Sequence, residues 1–214
     1  MKARNKQILI TAGPTREFLD PVRFLSNPSS GKMGYAIAEA ARNLGCSVDL
    51  VSGPTFLECP TGMTLHPVVS AQEMLEVVAR LFEFCDYFIS VAAVSDWSPK
   101  NVVSHKIKKS KYVQALELIP TSDILRTMSL RKHSRQTIVG FCAETEELEI
   151  NARRKLADKH LDWIAGNLVG QDHGGFQCDE NELMLINRDG RRYDLGPGLK
   201  IDLAGQLLDL IGIA

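Results

Sequence analysis

Residues 7–52 read "QILITAGPTREFLDPVRFLSNPSSGKMGYAIAEAARNLGCSVDLVS". The first six residues form a short apolar run stopped by Gly13-Pro14, the length and composition of a buried strand. Beyond a turn-rich stretch, Ile37, Ala40, Ala41 and Leu44 recur at helical spacing, and 47–52 is a second short apolar run. Strand, helix, strand in this order is the repeating unit of a parallel sheet, because a parallel return needs a crossover of about a dozen residues. The pattern continues with apolar runs at 86–93, 137–141 and 162–166. Between them lie amphipathic sets: Met74, Leu75, Val78 and Leu81; Ile124, Leu125 and Met128; Leu148, Ala152, Leu156 and Ala157. The expected fold class is α/β, a Rossmann-like, mainly parallel sheet flanked by helices on both faces. After Gly174-Gly175 the grammar changes, and "ELMLIN", "RDG" and "RRYDLG" predict a C-terminal β-hairpin over about 182–196 with a tight Asp-Gly turn. Residues 200–212 close the chain as a helix.

The 214 residues, 44% hydrophobic, suffice for one core, so a single domain over 1–214 is expected. Lys and Arg number 25 against 26 Asp and Glu. This balance gives no global electrostatic reason to expect nucleic acid or a membrane as partner. The N-terminal apolar run is too short for a signal peptide or membrane span, which predicts a cytoplasmic protein. Cys46, Cys59, Cys85, Cys142 and Cys178 are odd in number and contain no CxxC pair, against a disulfide framework or zinc site. His66, His105, His133, His160 and His173 are scattered without ligand spacing.

Two stretches, 13–30 and 96–117, read as long loops following strands. In open parallel sheets ligands bind outside the carboxyl ends of the strands, so both belong where a site is expected. Within the first, "SNPSSGKMGY" (26–35) resembles a phosphate loop, yet counting back from Gly31-Lys32 puts Ser26 where a Walker loop needs glycine, and Met33 follows the lysine. A GxGxxG fingerprint is absent after the first strand, and the second strand ends "LVSGP" without an acid for a ribose, which speaks against a nicotinamide site. Ser29 or Ser30 as helix cap, with Gly31 and Gly34 allowing close backbone approach, suits an anion; an ordinary capped helix is the competing reading. The second loop carries Lys100, Lys106, Lys108, Lys109 and Lys111. It reads either as a solvated face or as a mobile basic flap, about 97–117, closing over a polyphosphate. Lys155 and Lys159 share a helix face, where pairing with the Glu144–Glu149 acids or solvation is the simpler meaning. Asp96 stands just past a buried strand, placed to hold magnesium or a ligand hydroxyl, or simply to cap a turn.

Together "ITAGPTREFLDPVRFLSNPSSGKMGYAIAEAA", "VAAVSDWSPK", "KIKK" and "VGFCAET" resemble phosphopantothenate–cysteine ligase, the phosphopantothenoylcysteine synthetase family, in its bacterial CTP-dependent type. The resemblance implies an enzyme of coenzyme A biosynthesis that joins 4′-phosphopantothenate to L-cysteine through an acyl-cytidylate, releasing pyrophosphate and then CMP. CTP is the expected co-substrate and Mg2+ the expected metal, held mainly by nucleotide phosphates rather than by protein side chains. Because the chain opens on the ligase's first strand, the resemblance also implies a stand-alone form. By matching position, Asn27 and Lys106 are the expected catalytic residues. Ser29, Gly31, Gly34, Asp96, Ser122, Asp123, Ile124, Leu125, Phe141, Lys155 and Lys159 are expected to contact the nucleotide. Arg23, Asn27, Ala92 and Ala93 are expected at phosphopantothenate, Arg23 acting across the interface of a homodimer. Pro28, Trp97 and "PTSDI" depart from the family's usual histidine, tyrosine and "NPDI"-like stretch, the last in the Ser122 segment expected to recognise the base. A nicotinamide-dependent reductase and a non-catalytic nucleotide-binding domain are the alternatives.

Overall fold

The computed structural model describes residues 6–109, 115–170, 175 and 177–213. The elements run β1 (Gln7–Ala12), β2 (Arg16–Phe18), β3 (Phe24–Ser26), α1 (Lys32–Asn43), β4 (Ser47–Ser52), β5 (Thr64–Pro67), α2 (Ala71–Leu81), β6 (Tyr87–Ser90), β7 (Trp97–Pro99) and β8 (Leu118–Pro120). There follow α3 (Ile124–Ser129), β9 (Thr137–Glu144), α4 (Leu148–Asp158), β10 (Trp163–Leu168), β11 (Glu180–Asn187), β12 (Arg192–Leu199) and α5 (Lys200–Leu210). Eight strands form one sheet in the order β12-β11-β10-β9-β6-β1-β4-β5. From β5 to β10 every pairing is parallel, and β11 and β12 add an antiparallel hairpin at one edge.

Alternation along the strands divides the core into two layers. Ile8, Ile10, Leu50 and Ile89 pack on one face under α1 and α5, against Ile37, Ala38, Ala41, Leu203 and Leu207. Leu9, Val51, Phe88, Ile138 and Ile164 pack on the other under α2, α3 and α4, against Met74, Val78, Met128, Ala152 and Leu156. Both faces are covered, so the central strands read as unbroken apolar runs rather than as alternating ones.

β1 lies between β4 and β6, so the chain leaves β1 in one direction along the sheet and later fills the other side. That reversal opens a crevice at the carboxyl ends of β1 and β6, where the site is found.

The hairpin is longer than 182–196, spanning Glu180–Leu199, and its turn at Asp189-Gly190 puts Gly190 at φ 82°, a conformation glycine adopts without strain. The two expected long loops contain short paired strands instead: β2 with β3, and β7 with β8. Three-residue strands with half-exposed side chains carry too little periodicity to be seen in sequence. Edge strand β5 was missed for the same reason, since three of its four residues are exposed. The expected strand over 86–93 ends at Ser90, because the Val91 and Ala92 N–H groups both turn toward Thr11 Oγ1, at 3.2 Å each.

Candidate functional site

A cleft of about 600 Å³ opens over the carboxyl ends of β1, β6, β9 and β10. Every position expected to contact nucleotide lines it: Ser29, Gly31, Gly34, Asp96, the four residues Ser122 to Leu125, Phe141, Lys155 and Lys159. Asn27, Ala92 and Ala93 line it as well. Arg23 and Lys106 do not.

The floor is stitched from loops distant in sequence. Ser26 donates to the Thr15 carbonyl at 2.7 Å, the Ser95 N–H donates to Thr15 Oγ1 at 2.9 Å, and the Thr121 N–H donates to the Asp96 carbonyl at 2.9 Å. Asn27 joins this lattice. Its amide nitrogen donates to the Ala93 and Val94 carbonyls at 3.1 and 3.2 Å, and two carbonyl acceptors require the NH2 group on that side. Donation to a ligand oxygen therefore needs one of these bonds to be given up.

The start of α1 differs from the expected serine cap. Its N-cap is Gly31 itself, at φ 80°, with no side-chain cap. Ser29 Oγ accepts from the Gly31 N–H at 3.3 Å, so this serine shapes the turn before the helix. Gly34 serves packing as well as access: a Cβ there would lie 2.6 Å from that of Ala12, which means α1 sits directly on β1 at this point.

The lysines on the cleft wall are held by carboxylates. Lys155 Nζ lies 2.7 Å from Glu144 and Lys159 Nζ 2.9 Å from Asp123, which also caps α3 by accepting from the Arg126 N–H. The simple ion-pair reading of these lysines thus holds here, and for Lys155 with the expected acid. Cys142 is buried beside the Lys155–Glu144 pair; burial pushes its thiol up to about 11 although Lys155 pulls the other way, so it stays protonated at neutral pH and is no nucleophile.

The cleft is also lined by Lys32, which the failed Walker match set aside, and by Asn167 and Lys200, which the sequence reading did not single out. Lys32, a residue that first suggests a Walker lysine, instead pairs with Asp179 at 2.6 Å. Lys200 is buried at the start of α5 and donates to the Gly175 and Cys178 carbonyls. Burial, and then the charge of Lys32, hold its pKa below the ordinary 10.5. A lone lysine that opens a helix, after a strand of mostly exposed residues, carries no signal of burial in the sequence.

The flap lysines stand apart from the cleft. All residues over 100–109 are exposed, and Lys106 forms no hydrogen bond or ion pair among the described residues; Lys111, like His173 and Gly174, lies outside them. What holds this segment is the turn between β2 and β3. Arg23 is bound within its own chain, to Asp20 at 2.7 Å and to the Ile107 carbonyl at 2.9 Å. Burial would raise the Asp20 pKa, but N–H donors from Ile107, Val22 and Arg23, together with the Arg23 charge, bring it below the ordinary 3.8. Among the described residues no three His, Cys, Asp or Glu side chains gather to hold a metal, and no helix is long and apolar enough to cross a membrane.

Comparison with known proteins agrees with this arrangement. Residues 3–213 match the family described as DNA/pantothenate metabolism flavoprotein C-terminal domain. Coenzyme A biosynthesis bifunctional protein CoaBC of Bacillus subtilis (strain 168) is 45% identical over 207 residues, 96% of this chain and 51% of that protein. Its counterpart in Escherichia coli (strain K12) is 42% identical over 208 residues, again 96% and 51%. The chain therefore spans about half the length of the curated relatives it matches. The crystal structure of the C-terminal domain of CoaBC superposes with a TM-score of 0.82 at 43% identity, covering 99% of this chain and 96% of that one. At 19% identity, Cab2 mutant H337A, in complex with phosphopantothenate-cysteine, shares the fold with a TM-score of 0.78 over 97% of this chain and 85% of its own. The chain belongs to the DNA/pantothenate metabolism flavoprotein C-terminal domain family, the family of the C-terminal half of CoaBC.

Proposed function

We propose that this chain ligates 4′-phosphopantothenate to L-cysteine, using CTP. The observation that carries the reading is that every nucleotide-contact position expected from the family resemblance lines one cleft at the reversal point of the sheet. In the first step a carboxylate oxygen of 4′-phosphopantothenate attacks the α-phosphorus of CTP. The bond from that phosphorus to the bridging oxygen breaks, and pyrophosphate leaves. In the second, the cysteine amine attacks the acyl carbon, the bond to the CMP oxygen breaks, and the amide nitrogen loses its proton. Positive charge from Lys155 and Lys159, and from Lys106 when it reaches the ligand, would stabilise the phosphates. Asn27 would meet the acyl group from the floor. Among the described residues that line the cleft, Asp123 is committed to a lysine, as is the nearby Glu144, and Asp96 is the carboxylate without one, which suits Mg2+ carried in on the phosphates.

The same reading includes a homodimer in which Arg23, held by Asp20 and the Ile107 carbonyl within its own chain, serves the partner's ligand with its remaining donors. It is supported by apolar residues left exposed on the adjoining β2–β3 and β7–β8 segments, among them Val22, Val102, Leu118 and Ile119, a composition typical of a covered face. The test of the activity is to mix the protein with 4′-phosphopantothenate, cysteine, Mg2+ and either CTP or ATP, and to measure pyrophosphate and nucleoside monophosphate. CMP formed at the rate of pyrophosphate is expected. No monophosphate from either nucleotide would sink the proposal, while binding of CTP without cleavage would leave only a nucleotide-binding domain.

A further inference from the structure

Asp20 is a buried carboxylate with its two oxygens put to different uses. Oδ1 accepts from the Val22 and Arg23 N–H groups at 2.8 and 2.9 Å and so builds the turn between β2 and β3. Oδ2 faces outward from the turn, accepting from the Arg23 guanidinium at 2.7 Å and from the Ile107 N–H at 3.1 Å. Arg23 then returns to the Ile107 carbonyl with its second nitrogen at 2.9 Å. The peptide groups on both sides of Ile107 are therefore gripped by one ion pair, and nearby the Val103 N–H donates to the Leu19 carbonyl at 3.1 Å. These are attachments of an otherwise exposed segment, and they lie beside Lys106.

We propose that Asp20 is a positioning residue for the ligation: through its Oδ2 and Arg23 it registers the flap on the β2–β3 turn and so sets where Lys106 can reach. The same ribbon carries Asn27 one residue beyond β3, so the grip mounts both expected catalytic side chains on one body. A role confined to the turn would need Oδ1 alone. The inference rests on the ligase reading for what Lys106 does, but the grip itself can be read without any substrate.

Asp20→Asn separates the two uses, because the amide oxygen still serves the turn while its NH2 cannot accept from Ile107 or Arg23. Hydrogen exchange of the 101–109 segment should speed up at the Ile107 amide by about tenfold or more, the loss of a charged hydrogen bond. In the ligation assay kcat should fall by about tenfold, yet by less than about twofold when Asp20→Asn is added to Lys106→Gln, since both changes remove one function. Unchanged exchange, unchanged kcat, or effects of the two substitutions that multiply would each overturn the inference. Full turnover in Lys106→Gln alone would refute the role of that lysine, and is seen before Asp20 is altered, so the two failures are distinct. Should Asp20→Asn not fold, Arg23→Gln removes the carbonyl half of the grip from an exposed side chain. Unaltered exchange of the segment in that variant would overturn the inference in the same way.

Discussion

Asn27 meets the cleft with both amide hydrogens committed to the Ala93 and Val94 carbonyls. In Asn27→Ala these carbonyls lose their donor, and the acyl-nucleotide should form but persist, because the second step loses the group that meets the acyl carbon. Quenched-flow separation of acyl-cytidylate from CMP checks this, and normal turnover would refute the assignment. Two lost hydrogen bonds should also lower stability by about 1–2 kcal/mol, read by denaturant unfolding. Asp20 makes a prediction in pH. Its folded pKa lies below its ordinary 3.8, so its carboxylate contributes stability that is fully present above the unfolded value and is lost as pH falls through the folded one. The difference in melting temperature between the protein and Asp20→Asn should hold steady from neutral pH down to about pH 5 and shrink below about pH 4. A difference that grows on acidification would contradict the depressed pKa.

At the scale of elements, the amino ends of β9 and β10 and the hairpin are joined through Asp162. Its carboxylate pairs with Lys132 at 2.5 Å, both side chains largely buried, and accepts from the Ile138 N–H at 2.7 Å, while its carbonyl accepts from the Arg188 N–H at 2.8 Å. Asp162→Ala would leave the Lys132 ammonium without its partner and should cost about 3 kcal/mol. In a domain of this size that is a fall of about 6–12 °C in melting temperature, measured by calorimetry. The exposed Arg153–Glu149–Arg192 group that ties α4 to β12 is screened by solvent, and its ion pairs contribute far less. The elements legible in the sequence were those with a full pattern or a clear turn signal: α1 to α5, the buried strands of the parallel sheet and the C-terminal hairpin. The ribbons β2–β3 and β7–β8 were not, because their three-residue strands are held by pairing with each other and with the loops around them.

On the scale of the whole molecule, the proposed homodimer carries its own test. Replacing Leu118 and Ile119 of the exposed ribbon with glutamate should leave the monomer folded and shift sedimentation toward half the mass. A mass unaffected by these charges would place the contact elsewhere. The position of the site also belongs to this scale, since the cleft exists only where the connections from β1 and β6 run in opposite directions along the sheet. The sequence by itself determined the parallel α/β architecture, the hairpin at its edge and the family-matched residues that line the cleft. Apolar period, turn chemistry and family motifs are local properties, and the loops that follow parallel strands must converge at one end of the sheet. Only the tertiary structure decided that Gly31 rather than a serine begins α1, that Lys155 and Lys159 are held by Glu144 and Asp123, and that Arg23 grips Ile107. The Gly31 cap turns on one local backbone conformation, whereas Lys159 meets Asp123 across 36 positions and Arg23 meets Ile107 across 84, and hydrogen bonds at that separation leave no periodic trace in the sequence.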